Sequence, residues 1–356
     1  MVTHFFLGAN SGSGFRSLFP AFCRREDLYD LVILKGGPGS GKSTLMRRIG
    51  QAMEEREEPV VYFHCSGDPD SLDGVYLPSA RTALVDGTAP HICEPRYPAA
   101  VDRYVNMGEF YDIPRAKQNR EEAVSCTDAC SAAYRRSYRA LAAARQVEAG
   151  AEALAGEGFD PGKLLRRAEG IIARELRAKG SGAEQETYFL GSLTCRGPLW
   201  RFDTVQALCP RIYQLQDSFG LAAPMLERVR QTAAEKRLRC IVCPDPEAPE
   251  RIAHLLLPEP GVAFVTSKEG MTYTGPTWRR IRVDAMIDPD HLRRSKGRLR
   301  FARQMIHALR EEGVSALAEA KTHHDRLEAV YRPHVDFAGA DALTARELAY
   351  IESRLP

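Results

Sequence analysis

Residues 31–46 read LVILKGGPGSGKSTLM, and the reading of this stretch decides the fold. Leu31-Val32-Ile33-Leu34 is a short apolar run of the kind that makes a buried strand, and it ends directly at glycines. Leu45, Met46, Ile49, Ala52 and Met53 then recur at helical spacing. Between the two lies Gly36-x4-Gly41-Lys42-Ser43. A strand, a glycine loop and a helix in immediate succession predict an α/β fold with a mostly parallel sheet flanked by helices.

The glycine spacing is that of a phosphate-binding loop, or P-loop, with the Walker A pattern. Residues Gly36, Gly37, Pro38, Gly39, Ser40 and Gly41 let consecutive backbone N–H groups point inward at phosphate oxygens. The helix that starts near Lys42 adds its positive dipole end beneath the anion. Lys42 is expected to reach the β- and γ-phosphates and Ser43 to ligate Mg²⁺, while Thr44 packs behind the loop or caps it. An acidic group at the end of a neighbouring strand is needed for the metal's water shell. Asp86 in RTALVDGTAPH, after Ala83-Leu84-Val85, fits that place. Lys42 and Asp86 are therefore the expected catalytic residues, Ser43 and Asp86 the metal ligands, and ATP (or another NTP) with Mg²⁺ the cofactors. Gly87 follows Asp86 where many ATPases carry a catalytic glutamate, so no base is assigned. Val60-Val61-Tyr62-Phe63 reads as another strand and HCSGDPDSLDG as the loop after it. His64, Asp68, Asp70 and Asp73 there, with His91 and Glu94 after Asp86, are candidates to position water or touch substrate; each is also an ordinary turn residue.

The sequence then repeats itself. FFLG at 5–8 returns as YFLG at 188–191, and from Leu31 an ungapped offset of 180 (211 − 31) lays RIYQLQDSFGLAAPMLERV over the P-loop segment. At that offset Lys42 meets Ala222, Ser43 meets Ala223, Thr44 meets Pro224 and Asp86 meets Thr266. Phosphate lysine, metal hydroxyl and metal carboxylate are lost together. Each core is followed by helical segments broken at AGEGFDPG and YRPHVDFAGAD, with Phe159 matching Phe337 at a shift of 178 (337 − 159). The expected organisation is an active P-loop core over 1–112, a helical hairpin over 113–182, a degenerate core over 183–290 and a second helical hairpin over 291–356.

On these residues the first half resembles the P-loop NTPase superfamily. More narrowly, GGPGSGKSTLMRRIG, HCSGDPDSLDG and LVDGTAPH resemble a little-characterised bacterial group of tandem P-loop ATPases or ATP-binding proteins. The resemblance implies Mg-dependent ATP binding with slow hydrolysis at the N-terminal P-loop, the second copy being structural or regulatory. A nucleotide or small-molecule kinase is the alternative enzyme, with the hairpin as a lid over a phosphoryl acceptor. A nucleotide-sensing protein that binds a protein partner is the alternative outside enzymology.

Composition sets bounds. A content of 44% hydrophobic and 27% charged residues is that of a soluble globular chain, and a net charge of +2 does not favour a nucleic-acid partner. MVTHFFLGAN has no basic n-region and no long apolar core, and no run reaches membrane-span length, so a cytoplasmic location is expected. Nine scattered cysteines, an odd number, suit a reducing compartment. Cys240-x-x-Cys243 and the Cys126/Cys130 pair read as packing residues, and His323-His324-Asp325 as a solvated helix face. HLRRSKGRLRFAR (291–303) reads as a basic helix face, with a lent arginine for the first copy's phosphates as its functional alternative. Tyr134, Tyr138 and Leu141 follow helical spacing and are expected to pack the hairpin. Oligomeric state is not encoded in these features.

Overall fold

The computed structural model describes residues 1–180, 182 and 185–355. The expected boundary at 183 falls on Ala183, outside those residues. The first half runs β1 (Val2–Phe5), β2 (Gly8–Ser11), β3 (Gly14–Ser17), α1 (Phe19–Phe22), β4 (Asp30–Lys35), α2 (Lys42–Glu55), β5 (Val60–His64), β6 (Leu72–Leu77), β7 (Thr82–Asp86), β8 (Asp102–Asn106), α3 (Ile113–Ala116), α4 (Arg120–Gly156) and α5 (Pro161–Glu175). The second runs β9 (Gln185–Thr187), β10 (Gly191–Thr194), β11 (Gly197–Trp200), α6 (Phe202–Leu208), β12 (Arg211–Gln216), α7 (Ala223–Glu235), β13 (Cys240–Asp245), β14 (Ala248–Leu257), β15 (Val262–Ser267), β16 (Arg279–Arg282), α8 (Pro289–Tyr331) and α9 (Phe337–Glu352).

The two main sheets have the same strand order, β1-β5-β6-β7-β4-β8 and β9-β13-β14-β15-β12-β16. Only β6 and β14 run antiparallel to their neighbours. The remaining pairings are parallel. The α/β class, the mostly parallel sheets and the two similar halves are thus as the sequence predicts. One segment differs. HCSGDPDSLDG is not loop throughout, because Leu72-Asp73-Gly74 opens β6. That strand is buried along its whole length, so it lacks polar alternation, and its Asp-Gly pair imitates a turn.

Side-chain alternation along β4 explains the layering. Leu31 and Ile33 join Ile212, Ala263 and Val265 of the second half in one core between the sheets. Val32 and Leu34 face the other way, under Leu45, Met46, Ile49 and Met53 of α2. Phe19, Phe22 and Val205, from α1 and α6, fill the shared layer. Each fully buried large side chain contributes about 1.5–3 kcal/mol. Exposing five would match the roughly 5–15 kcal/mol net stability of a typical domain. The halves therefore hold together as one body.

The helical hairpins are exchanged. Ala340, Leu343 and Ile351 of α9 complete the outer core of the first half. Leu164, Ala168, Ile171 and Ile172 of α5 complete that of the second, against Met225, Leu226 and Val229 of α7. The long helices α4 and α8 pair antiparallel between them, with Ser137 Oγ donating to Gly313 O at 2.9 Å and Arg326 Nη2 paired with Glu122 at 2.8 Å. Phe6 and Phe189, equivalent residues, exchange both backbone hydrogen bonds at 2.9 Å. Such a self-matching contact is the mark of a local twofold axis.

Register corrects the ungapped alignment. Leu34 pairs with Asp86, but it is Leu215 that pairs with Thr266, so β12 sits at an offset of 181 (215 − 34) beside a β15 offset of 180 (266 − 86). The buried positions Leu45, Met46 and Ile49 match Met225, Leu226 and Val229 at 180. The second loop is therefore one residue shorter, seven steps from Leu215 to Ala222 against eight from Leu34 to Lys42 (222 − 215; 42 − 34). In the hairpins the shift is 176, not 178. Asp160 and Asp336 cap equivalent helices (336 − 160), and the bridge of Tyr111 to Val335 repeats that of Ile287 to Phe159. Among the described residues no helix is long and apolar enough to cross a membrane.

Candidate functional site

The glycine loop leaves the end of β4 and enters α2 at Lys42. Gly39 and Gly41 take φ of +75° and +91°, the left-handed region that favours glycine. Gly41, the N-cap, has no side chain to accept from the first-turn N–H groups, which leaves them to an anion. Lys42 Nζ arches back over the loop, donating to Gly36 O at 2.6 Å and Gly37 O at 3.1 Å. It stands 3.6 Å from Asp86 Oδ2 at the end of the adjacent parallel strand. Asp86 Oδ1 accepts from Thr88 N at 2.8 Å, and Thr88 Oγ1 donates to Gly36 O at 3.0 Å. Ser43 Oγ accepts from Leu72 N at 2.9 Å, tying the loop helix to β6. Thr44 is exposed, so it does not pack behind the loop. A Cβ on Gly87 would lie 2.4 Å from Ile33 Cγ2, so a glutamate next to Asp86 is excluded by packing.

Tyr111 of the first half and α8 of the second together supply the roof. Tyr111 Oη donates to Pro38 O at 2.7 Å, and its ring lies against that of Tyr331 at the end of α8. Glu328 O is 3.4 Å from where a Cβ on Gly39 would sit. Lys321 Nζ is 3.4 Å from Asp68 Oδ2. Sequence reasoning missed Thr88, Tyr111, Lys321 and Glu328. Lys321 and Glu328 had no signal at all, because nothing in the sequence says that α8 crosses to the first copy.

The loop candidates separate. Asp70 pairs with Arg196 of the second half, and Glu94 pairs with Lys35 at 3.1 Å. His64 lies against His4 and Phe6, and burial lowers its pKa to about 4, so it is a neutral interior residue. Asp73 and His91 do come together, Oδ2 to Nε2 at 3.5 Å, with Cys65 beside them. Register places Asp73 across from Asp86, since Gly74 pairs with Val85. Burial raises the Asp73 carboxyl to about 6.

The equivalent loop of the second half is filled from within. Asp217 Oδ1 accepts from Leu221 N and Oδ2 from Ala222 N, both at 2.8 Å. A buried carboxylate thus takes the N–H groups of the two residues that lead into α7, whose counterparts the first loop leaves open. Burial pushes the Asp217 carboxyl up, against those two bonds. Lys268 is the counterpart of Thr88 (268 − 88 = 180). Its ammonium lies 3.1 Å from Asp245 and 3.4 Å from Glu148 of α4. Arg251 pairs with Glu152 at 2.7 Å, and Arg310 with Glu247 at 2.7 Å. A crevice of about 20 Å³, room for a water molecule, remains there, walled by Asp217, Asp245, Arg251 and Lys268. Its charges are already paired with one another.

Of the remaining sequence features, Cys240 and Cys243 are buried free thiols and Cys126 is buried, as packing residues should be. Cys130 Sγ donates to Ala320 O. Leu141 packs on Leu317 and Leu193. Tyr138 instead donates to Asn10 Oδ1 at 3.1 Å, against the first core's hairpin. Segment 291–303 does not lend an arginine to the first copy. Arg303 pairs with Glu269 of the second half, and the 25 residues from there to Glu328 (328 − 303) span roughly 40 Å of helix. No family model, curated protein or solved structure matches the chain.

Proposed function

We propose that the first copy binds ATP or another NTP with Mg²⁺ and hydrolyses it slowly, and that the second copy binds none. The observation that carries this reading is the contrast at one position of the fold. Donors at the α2 N-terminus face an open loop beside Lys42 and Asp86, whereas Leu221 N and Ala222 N at the entry to α7 are taken by Asp217. The residues present fit a nucleoside triphosphate: an N–H cradle with an adjacent ammonium for phosphate, and a hydroxyl and a carboxylate for a hard cation. Ser43 and Asp86 would hold Mg²⁺, which when bound neutralises charge on the β- and γ-phosphates. Lys42 leaves its carbonyl partners for phosphate oxygens and stabilises charge that develops on them. The roof from α8 limits water around the loop. Packing excludes a glutamate base after Asp86, which supports a low intrinsic rate.

A nucleotide-sensing reading is favoured by one observation, that Glu328 of α8 touches the loop at Gly39. Anion seating there bears directly on a helix that reaches the second copy. Calorimetric titration with a non-hydrolysable ATP analogue tests the proposal. One analogue per chain is expected. Lys42→Ala removes a charged partner worth about 2–5 kcal/mol, a loss of roughly 30- to several-thousand-fold in affinity. Asp86→Asn should instead abolish the Mg²⁺ dependence of turnover while sparing metal-free binding. Binding that survives Lys42→Ala overturns the assignment.

A further inference from the structure

The site beside the P-loop carries three side chains that the nucleotide reading leaves unused. Cys65 directly follows β5, Asp73 lies in β6, and His91 follows β7, so all three meet at the same end of the sheet. One ligand atom from each lies within 4.8 Å of the others. Asp73 is 4% exposed and His91 8%. Asp73 Oδ2, the oxygen turned to His91, has no hydrogen-bond partner, and neither has His91 Nδ1. A buried carboxylate oxygen without a hydrogen bond is costly, by about 1–3 kcal/mol or more, and asks for a cation.

The second copy shows a cation at the corresponding place. By register, Cys65, Asp73 and His91 correspond to Asp245, Ala253 and Met271. All three potential ligands have changed together. Into that space reaches the Lys268 ammonium, 3.1 Å from Asp245, the counterpart of Cys65. One copy carries its own fixed positive charge; the other presents a thiol, an imidazole and a carboxylate around an unsatisfied oxygen.

We propose that Cys65, Asp73 and His91 bind one divalent cation of the zinc class. A thiol, an imidazole and a carboxylate together select a borderline-soft ion over Mg²⁺ or Ca²⁺. Three protein ligands leave a fourth position for water or a substrate oxygen. Binding releases the thiol proton to solvent as the thiolate coordinates. The site does not depend on the nucleotide assignment.

The test uses the metal-free full-length chain without nucleotide, titrated with Co²⁺ and then with Zn²⁺. One Co²⁺ per chain is expected, with tetrahedral ligand-field absorption and a thiolate-to-cobalt charge-transfer band, both erased by Zn²⁺. Cys65→Ser should remove the charge-transfer band, and Asp73→Asn should weaken Co²⁺ binding at least tenfold. Thermal melts of the metal-free variants report whether they fold. If Cys65→Ser does not fold, the affinity of Asp73→Asn decides. Failure to bind one equivalent, a band that survives Cys65→Ser, or unchanged affinity in Asp73→Asn overturns the proposal.

Discussion

The loop after β4 and the loop after β12 leave equivalent strands and enter equivalent helices, yet they solve the same electrostatic problem in opposite ways. A helix N-terminus presents unsatisfied N–H groups and partial positive charge. The first loop keeps them open, with glycines at positive φ and a lysine beside them. The second is one residue shorter and closes on its own Asp217. Nearby, the first copy gathers Cys65, Asp73 and His91, while the second inserts Lys268 among carboxylates. In the second copy internal groups occupy the corresponding places, Asp217 at the loop and Lys268 beside Asp245.

Three measurements can break or sharpen that contrast. The largest effect is expected from Lys268→Met. Removing the ammonium leaves Asp245 and Glu148 buried beside one another, and loss of one partner from a buried ion pair costs about 3–5 kcal/mol. Thr88→Val, at the matching position of the first copy, removes only one hydrogen bond and costs about 0.5–1.5 kcal/mol. Urea denaturation of both variants gives the comparison, and equal losses would contradict it. The same cluster sets an acid limit. Burial alone would raise the Asp245 carboxyl, but Lys268 and Arg251 outweigh it and hold it well below its ordinary value. A depressed carboxyl contributes stability that is complete above the unfolded value of about 3.9 and is lost as pH falls towards the folded one. The stability of Lys268→Met should therefore fall less steeply below pH of about 4 than that of the wild type.

A smaller effect is expected from Asp217→Ala. It leaves two buried donors at the start of α7 without their acceptor, at a cost of about 1–3 kcal/mol in the same denaturation assay. A variant as stable as wild type would mean that Asp217 is not filling the loop. The smallest expected effect, none at all on ligand count, is that of Ala222→Lys. Restoring the lysine in a loop still one residue short and still occupied by Asp217 should leave the nucleotide stoichiometry at one per chain. A second bound analogue in calorimetry would show that side-chain chemistry alone had been missing.

How much of this was legible in the sequence depended on the kind of information. The strand, loop and helix at 31–55 and the place of Asp86 at a strand end were readable, because glycine spacing and apolar periodicity are local signals. The duplication was readable from the recurring apolar pattern. The missing residue in the second loop was not, because β12 and α7 both keep their patterns and only strand pairing reveals the slip. Strand β6 was hidden by burial on both faces and by Asp73 at its start. The ion pairs of Lys268 with Glu148 and of Lys321 with Asp68 link residues far apart in the chain, and hairpin exchange brings them together. Exchange leaves no trace in composition, since α5 and α9 carry an apolar face whichever core they cover.

That exchange also governs how the chain is made. Synthesis proceeds from the N-terminus, at about 5–20 residues per second, and domains ordinarily fold as they emerge. Here the outer face of the first sheet is covered by Ala340, Leu343 and Ile351, and Ala340 is translated 305 residues after Lys35 at the end of β4 (340 − 35). The nascent N-terminal half must wait, with Val32, Leu34 and the apolar face of α2 incompletely covered, until α9 has been translated. Truncation near the midpoint would make that exposure permanent and leave an aggregation-prone fragment instead of a folded half. Inherited as one reading frame, the two copies can change separately in sequence but cannot be separated in assembly.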